Sequence, residues 1–170
     1  MSAERLSASL DTNRNCTIKI DNKSNKYSLI DPKVYMYHGF NHTAPQPTIG
    51  PRSISICAFT KTPNTSCGSI GVLTYDLCDI KTRNTTDRVA LLFSVPYNFN
   101  FYDNIYAIGV ISTSRDCNEA LYKRMYYETG AFTRAKAKEG GLTYKSSGVE
   151  LRATMSNMAK AIITLEIYDQ

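Results

Sequence analysis

Residues 92–106 read LFSVPYNFNFYDNIY, and two different physical demands meet inside them. Leu92 to Val95 is a short apolar run of the kind that fills a buried strand. Pro96 then removes a backbone donor and fixes its own φ, so a central strand does not run on through it. Past the proline come Tyr97, Phe99, Phe101, Tyr102 and Tyr106, with no Lys or Arg among them. Core rings belong on strands. Rings on a turn-rich segment after a proline point to a surface that meets something apolar or cationic.

Outward from this segment, short alternating or apolar runs are separated by turn chemistry, which reads as antiparallel β. The runs are CTIKID (16–21), KVYMYH (33–38), SISICAF (53–59), SIGVLTYDL (69–77), RVALLFSV (88–95), NIYAIGVIS (104–112) and AIITLEIY (161–168). Breakers such as DNKSN, APQPTIGP, TPNTSCG and EGG divide them, and strands at this spacing predict a sandwich. DCNEALYKRMYYETGAF (116–132) breaks the rhythm, because Leu121, Tyr122, Met125 and Tyr126 recur at helical spacing. With Asp116 as N-cap and Gly130 as the stop, the spacing predicts a helix over about 117–129. A shorter helix is expected within residues 2–11, where Leu6 and Leu10 share a face. The fold expected is mainly β, an antiparallel sandwich flanked by two short helices, as one domain over residues 1–170.

Bulk composition excludes several classes. The chain is 42% apolar and 21% charged with a net charge of +5, which argues for a globular domain and against a dense nucleic-acid footprint. A nucleic-acid stacking surface would interleave Arg and Lys with the rings, and 96–106 has neither. No apolar run is long enough to span a bilayer, and MSAERLSASLDTNRN lacks the core of a signal peptide. The expectation is a soluble protein, cytoplasmic or unconventionally exported, that acts peripherally on a membrane. Five scattered cysteines with no CxxC, and only His38 and His42 beside them, argue against a metal site and for thiols packed as small hydrophobes. Asn15, Asn22, Asn41, Asn64 and Asn84 each begin an N-x-S/T triplet and read as loop asparagines.

An enzyme reading finds no GxSxG, P-loop, GxGxxG or HExxH. His38 and His42, close in HGFNHT, read as polar loop residues, and no cofactor is called for. Tyr122 and Tyr126 stand one turn apart on the helix with Tyr127 adjacent. If that helix packs beside the aromatic loop, phenol rings converge into a cage for a quaternary ammonium. The plainer alternative is that the rings fill core and sheet surface, since Tyr and Phe favour strands. Their position past the proline favours binding.

ALLFSVPYNFNFYDN (90–104), LYKRMYYE (121–128), GSIGVLTYDL (68–77) and KAIITLEIY (160–168) together closely resemble the actinoporins and actinoporin-like proteins, from about Arg14 to Tyr168. The resemblance implies a β-sandwich with two helices, recognition of phosphocholine headgroups, above all sphingomyelin, and a homo-oligomeric, cation-conducting lytic pore built by an N-terminal amphipathic helix. Carried over by position, it places Ser94, Pro96, Tyr102, Tyr122, Tyr126, Tyr127 and Ile70 around the headgroup. It places Phe99, Phe101, Ile105 and Tyr106 in a membrane-contacting loop, and Arg14 beside the phosphate of a second lipid.

Departures from the family pattern are plain. Phe101–Tyr102 replaces a Trp–Tyr pair, and Ile105 and Tyr106 replace nearby Trp, so the loop loses indole anchors. Ile70 replaces a Val. His38 stands where the family commonly has a pocket Ser, where its protonated form can hold a phosphate or reshape the pocket. The matching region FTRAKAKEG lacks the family's RGD element. The 1–13 segment is shorter than the family's N-terminal region. As a helix it reaches about 20 Å against a hydrocarbon core of about 30 Å. Two readings stand side by side: a phosphocholine-lipid binder that assembles into a lytic pore, and a lectin-like or headgroup-binding module that recognises a glycan or lipid without perforating.

Overall fold

The computed structural model describes residues 1–146 and 148–170. In chain order the elements are α1 (Ala3–Ser9), β1 (Asn15–Asn22), β2 (Tyr27–His38), β3 (Phe40–Thr43), β4 (Thr48–Ile49), β5 (Ser53–Thr60), β6 (Ser69–Asp79), β7 (Thr85–Val95) and β8 (Ile105–Ser112). There follow α2 (Glu119–Tyr127), β9 (Phe132–Lys136), a 3₁₀ turn (Ala137–Glu139), β10 (Leu142–Ser146), β11 (Val149–Met155) and β12 (Lys160–Asp169). One sheet has the order β10-β11-β12-β1-β5-β3, and the other β4-β2-β6-β7-β8-β9. The antiparallel expectation holds except that β1 and β12 pair parallel, Asn15 opposite Lys160 through Asn22 opposite Ile167.

Alternation along the strands builds the core. Phe93 and Val95 of β7, Tyr106 and Ile108 of β8, and Phe59 of β5 turn inward, where the Phe59 and Phe93 rings meet at 4.6 Å. The opposite parity of the second sheet, Val72, Leu92 and Ala107, is covered by Leu121 and Met125 of α2. β7 is thus buried on both faces from Arg88 to Val95, which is why its centre, VALLF (89–93), reads as an unbroken apolar run rather than an alternating one. On the other sheet, Leu6 and Leu10 at α1 pack on Ala58, and burying two leucines is worth about 3–6 kcal/mol. The helices therefore lie one on each sheet.

Local chemistry sets the helix ends. Ser2 caps α1 by accepting from the Arg5 N–H at 3.1 Å. The cap of α2 is Asn118, not Asp116: its Oδ1 accepts from the Leu121 N–H at 3.1 Å, so the helix begins later than expected. It also ends earlier, at Tyr127, because Nη1 of Arg134 on β9 takes the carbonyl oxygens of Met125 at 2.6 Å and Glu128 at 2.8 Å. Gly130 instead bridges to Phe132. A buried pair, Arg88 Nε to Asp76 Oδ1 at 2.6 Å, steadies the lead-in to α2, since the same guanidinium also binds the Arg115 carbonyl.

Three triplet asparagines are not in loops. Asn15 and Asn22 lie on β1 and are fully buried, and Asn41 lies on β3. Asn22 Nδ2 donates to the carbonyls of Tyr27, Ile49 and Gly50, tying the two sheets together. The cysteines are free. Cys16 and Cys57 are buried, and burial pushes the Cys57 thiol up to about 12. Among the described residues no helix is long and apolar enough to cross a membrane.

Candidate functional site

Where β7 ends, the loop 96–104, the C-terminal half of α2 and the loop 61–68 enclose a hollow of about 290 Å³, near the lower end of small-ligand sites. Its floor is one row across the second sheet, in which His38 pairs with Ile70 and Ile70 with Ser94. Ile70 and Ser94 have the parity of Val72 and Leu92, so they face the α2 side rather than the core. The loop 61–68 can press against the strand end only because residue 68 is glycine. A Cβ there would lie 2.0 Å from the Val95 carbonyl oxygen. That contact brings Ser66 and Cys67 into the wall.

Rings close the other side. Tyr122 is buried to 4% exposure, with Tyr37 stacked on it at 4.7 Å and 18° and Tyr126 at 5.7 Å. Tyr127 meets Tyr126 edge-on at 4.8 Å and is 70% exposed. Burial pushes the Tyr122 phenol well above its ordinary range, reinforced by Tyr126, Tyr127, Tyr37 and Tyr35. Tyr126 moves the same way, through burial first and then Tyr127 and Tyr102, with Arg134 opposing. These hydroxyls therefore stay protonated and donate hydrogen bonds. The lining carries no Asp, Glu, Lys or Arg.

The aromatic loop is clamped at its base and open at its tip. Arg14 donates to the carbonyls of Pro96 and Tyr97 and lies 4.6 Å from the centre of the Phe99 ring. Asp103 pairs with Lys136 at 3.2 Å and Lys138 at 3.6 Å. Asn104 Nδ2 donates to the Met158 carbonyl at 2.8 Å. Between these ties the Phe101 and Tyr102 N–H groups both return to the Asn98 carbonyl, turning Phe101 out to 78% exposure.

All seven residues expected around a headgroup, Ile70, Ser94, Pro96, Tyr102, Tyr122, Tyr126 and Tyr127, line this one hollow. Phe99 and Phe101 are exposed on the loop beside it. Tyr106 is a correction. It sits on β8 with the inward parity, is fully buried, and donates its hydroxyl to the Gly140 carbonyl at 2.6 Å, so it touches no membrane. Ile105 is also on β8, half-buried against the cluster beneath α2. Arg14 is half-buried with its guanidinium engaged by the loop's carbonyls. His38 lines the hollow, whereas His42 stands exposed on β3 with Nδ1 2.9 Å from the Thr43 hydroxyl.

A model of the sea anemone cytotoxic protein family matches residues 5–169. The chain belongs to that family. DELTA-actitoxin-Afr1c of Actinia fragacea is 30% identical over 102 residues, 59% of this chain and 51% of the relative. Deep-sea actinoporin Cjtox I of Cribrinopsis japonica is 30% identical over 115 residues, 67% of this chain and 49% of the relative. This member of the family thus spans about half the length of these relatives. Among solved structures, the lipid binding protein Nakanori superposes with a TM-score of 0.71 at 12% identity, over 99% of this chain and 76% of that one. RahU, solved with a Tris molecule, gives 0.52 at 12% identity, over 94% and 98%. At these identities the likeness is one of fold.

Five lining residues of this sea anemone cytotoxic protein family member escaped the sequence: Tyr37, Ser66, Cys67, Gly68 and Asn98. Tyr37 follows the alternation of β2, and the register shift between Met36 and His38 then sets His38 beside it at the strand end. Its spacing of two from Tyr35 was the available signal. Ser66, Cys67, Gly68 and Asn98 enter through loop conformation, which leaves no periodic trace.

Proposed function

We propose that the hollow binds the phosphocholine headgroup of sphingomyelin or phosphatidylcholine, with the chain attached peripherally to the bilayer. The observation that carries this is the meeting of neutral phenol rings around a hollow lined by no Asp, Glu, Lys or Arg, beside a loop with Phe101 turned outward. Ring faces attract a quaternary ammonium by about 0.5–2 kcal/mol per desolvated contact. Tyrosine hydroxyls and Ser94 donate to the phosphate oxygens. Tyr97, Phe99 and Phe101 settle at the membrane–water boundary. Arg14, at the loop's root, is placed to meet the phosphate of a second lipid with the N–H groups it does not spend on carbonyls. Family membership and the lipid binding named for Nakanori agree with this reading.

In the same proposal, copies gathered on the membrane assemble into a lytic, cation-conducting pore. A second reading is favoured by α1. Its seven residues rise only about 10 Å against a hydrocarbon core of about 30 Å, and its leucines are committed to the sheet. In that reading the chain is a headgroup-binding or lectin-like module that does not perforate. Vesicle sedimentation and dye release, read together, test both. Sedimentation with phosphocholine vesicles and not with phosphatidylglycerol vesicles supports the hollow's assignment, and no sedimentation overturns it. Dye release adds the pore, and attachment without release leaves the module. Glycan binding without lipid binding would favour the lectin.

A further inference from the structure

We infer that His38 is the phosphate-contacting residue of this hollow and makes its grip on the headgroup depend on pH, an inference that rests on the proposed phosphocholine reading. The lining offers the headgroup's anion no permanent cation, only neutral groups (hydroxyls, the Asn98 amide and the Cys67 thiol) and this imidazole. An imidazole is the one kind of side chain in the lining whose charge ordinarily changes between pH 5 and 8. Protonated, it donates a charge-assisted hydrogen bond to a phosphate oxygen.

Its placement is fixed on both sides. The next residue, Gly39, has φ +88°, and a Cβ there would lie 2.2 Å from the Thr60 carbonyl oxygen, so the corner from β2 into β3 admits no other side chain without a shift. On the preceding side the Tyr37 ring stands edge-on to the imidazole at 4.5 Å and 60°. Tyr37 is in turn stacked on Tyr122. His38 shares the floor row with Ile70 and Ser94, opposite the wall of α2 rings. One hollow thus holds both hydrogen-bond donors and ring faces, as a phosphate next to a trimethylated amine requires.

The charged neighbours stand outside the hollow. Lys61 and Arg14 lie against the Tyr97 ring at 5.6 and 5.3 Å. Arg134 acts on Tyr126, and the Glu119–Lys123 pair acts on Tyr35. From β6 and the loop 61–68 only Ile70, Ser66, Cys67 and Gly68 face inward, and a thiol ordinarily titrates near 8.5. Neither the phosphodiester nor the quaternary ammonium of phosphatidylcholine titrates between pH 5 and 8. A change in affinity across that range therefore belongs to the protein, which has two histidines.

The test is sedimentation with phosphatidylcholine vesicles at about pH 7.5 and about pH 5.5 at constant ionic strength. Wild type is expected to bind about fivefold more tightly at the lower pH, the gain of an ionised over a neutral hydrogen bond. His42→Gln keeps that slope. His38→Gln and His38→Arg, with folding checked by circular dichroism, lose it. Either His38 variant suffices if the other does not fold. A flat or reversed wild-type profile, or a slope that survives in a folded His38 variant, overturns the assignment while leaving the headgroup reading intact. Absence of wild-type binding at both pH values overturns the headgroup reading and this inference with it.

Discussion

Replacing Tyr102 with alanine removes one wall of the hollow at little cost to the fold. The side chain sits on the loop, is 59% exposed, and its residue is held in place by a backbone bond, N–H to the Asn98 carbonyl at 3.1 Å, that survives the substitution. Surface changes of this kind stay within about 0.5 kcal/mol of wild-type stability. What is lost is one ring face toward the ammonium and one hydroxyl toward the phosphate. Counting the ring alone at about 0.5–2 kcal/mol, affinity for phosphocholine vesicles falls about 2- to 30-fold. Tyr122 is a poorer probe. Nearly buried and stacked under Tyr37, its truncation to alanine carries a core cost of about 3–5 kcal/mol, as for other large rings, which confuses binding with unfolding. The assay is vesicle sedimentation over a lipid titration, with thermal melting in parallel. A Tyr102→Ala protein that melts like wild type and binds like wild type refutes the reasoning.

Other expectations separate the neighbouring parts. Phe101→Ala, outside the lining and 78% exposed, is expected to weaken attachment to every vesicle type alike, by vesicle sedimentation, while phosphocholine preference persists; loss of preference would contradict the division between hollow and anchor. Alkylation of Cys67, half-exposed in the wall, with a bulky maleimide is expected to block vesicle binding, and a Cys67→Ser protein treated identically to keep it. Hydrogen bonding to Lys136, helped by Lys138 and opposed by burial, holds the Asp103 carboxyl below its ordinary range. Its folded pKa lies below the unfolded one, so its contribution is full above the unfolded value of about 3.9 and lost as pH falls through the depressed one. Wild-type and Asp103→Asn melting temperatures should therefore differ near neutrality and converge in acid; a constant gap would count against the tie.

Strands buried on both faces or alternating strongly were legible in the sequence. β5, β6, β7, β8 and β12 fall within a few residues of their apolar runs. β11 went unread although the signal was present, since Val149, Leu151, Ala153 and Met155 alternate with Glu150, Arg152 and Thr154. β4 is only two residues long, and β3, β9 and β10 are short strands whose partly exposed residues carry little hydrophobic signal. FTRAKAKEG, read only as a missing motif, forms β9 and the 3₁₀ turn, and its Arg134 caps α2. In the site, Ile70, Ser94, Tyr122, Tyr126 and Tyr127 stand on elements whose period sets their facing, whereas Pro96 and Tyr102 stand on the loop. Tyr106 failed because parity overrides likeness of position. In IYAIGVIS the bulky Tyr106, Ile108 and Val110 share the inward face, and that pattern alone excludes a loop role. The parallel pairing of β1 with β12 and the register shift that sets His38 opposite Ile70 are tertiary events with no local signature.

Titrating soluble phosphocholine into protein labelled on its twelve tyrosine rings, followed by NMR, asks most directly whether the phenols form one headgroup site. Saturable shifts confined to Tyr37, Tyr97, Tyr102, Tyr122, Tyr126 and Tyr127, with Tyr75, Tyr106 and Tyr168 unmoved, are the predicted result. Shifts centred on Tyr168, or none at any ligand concentration, would contradict it.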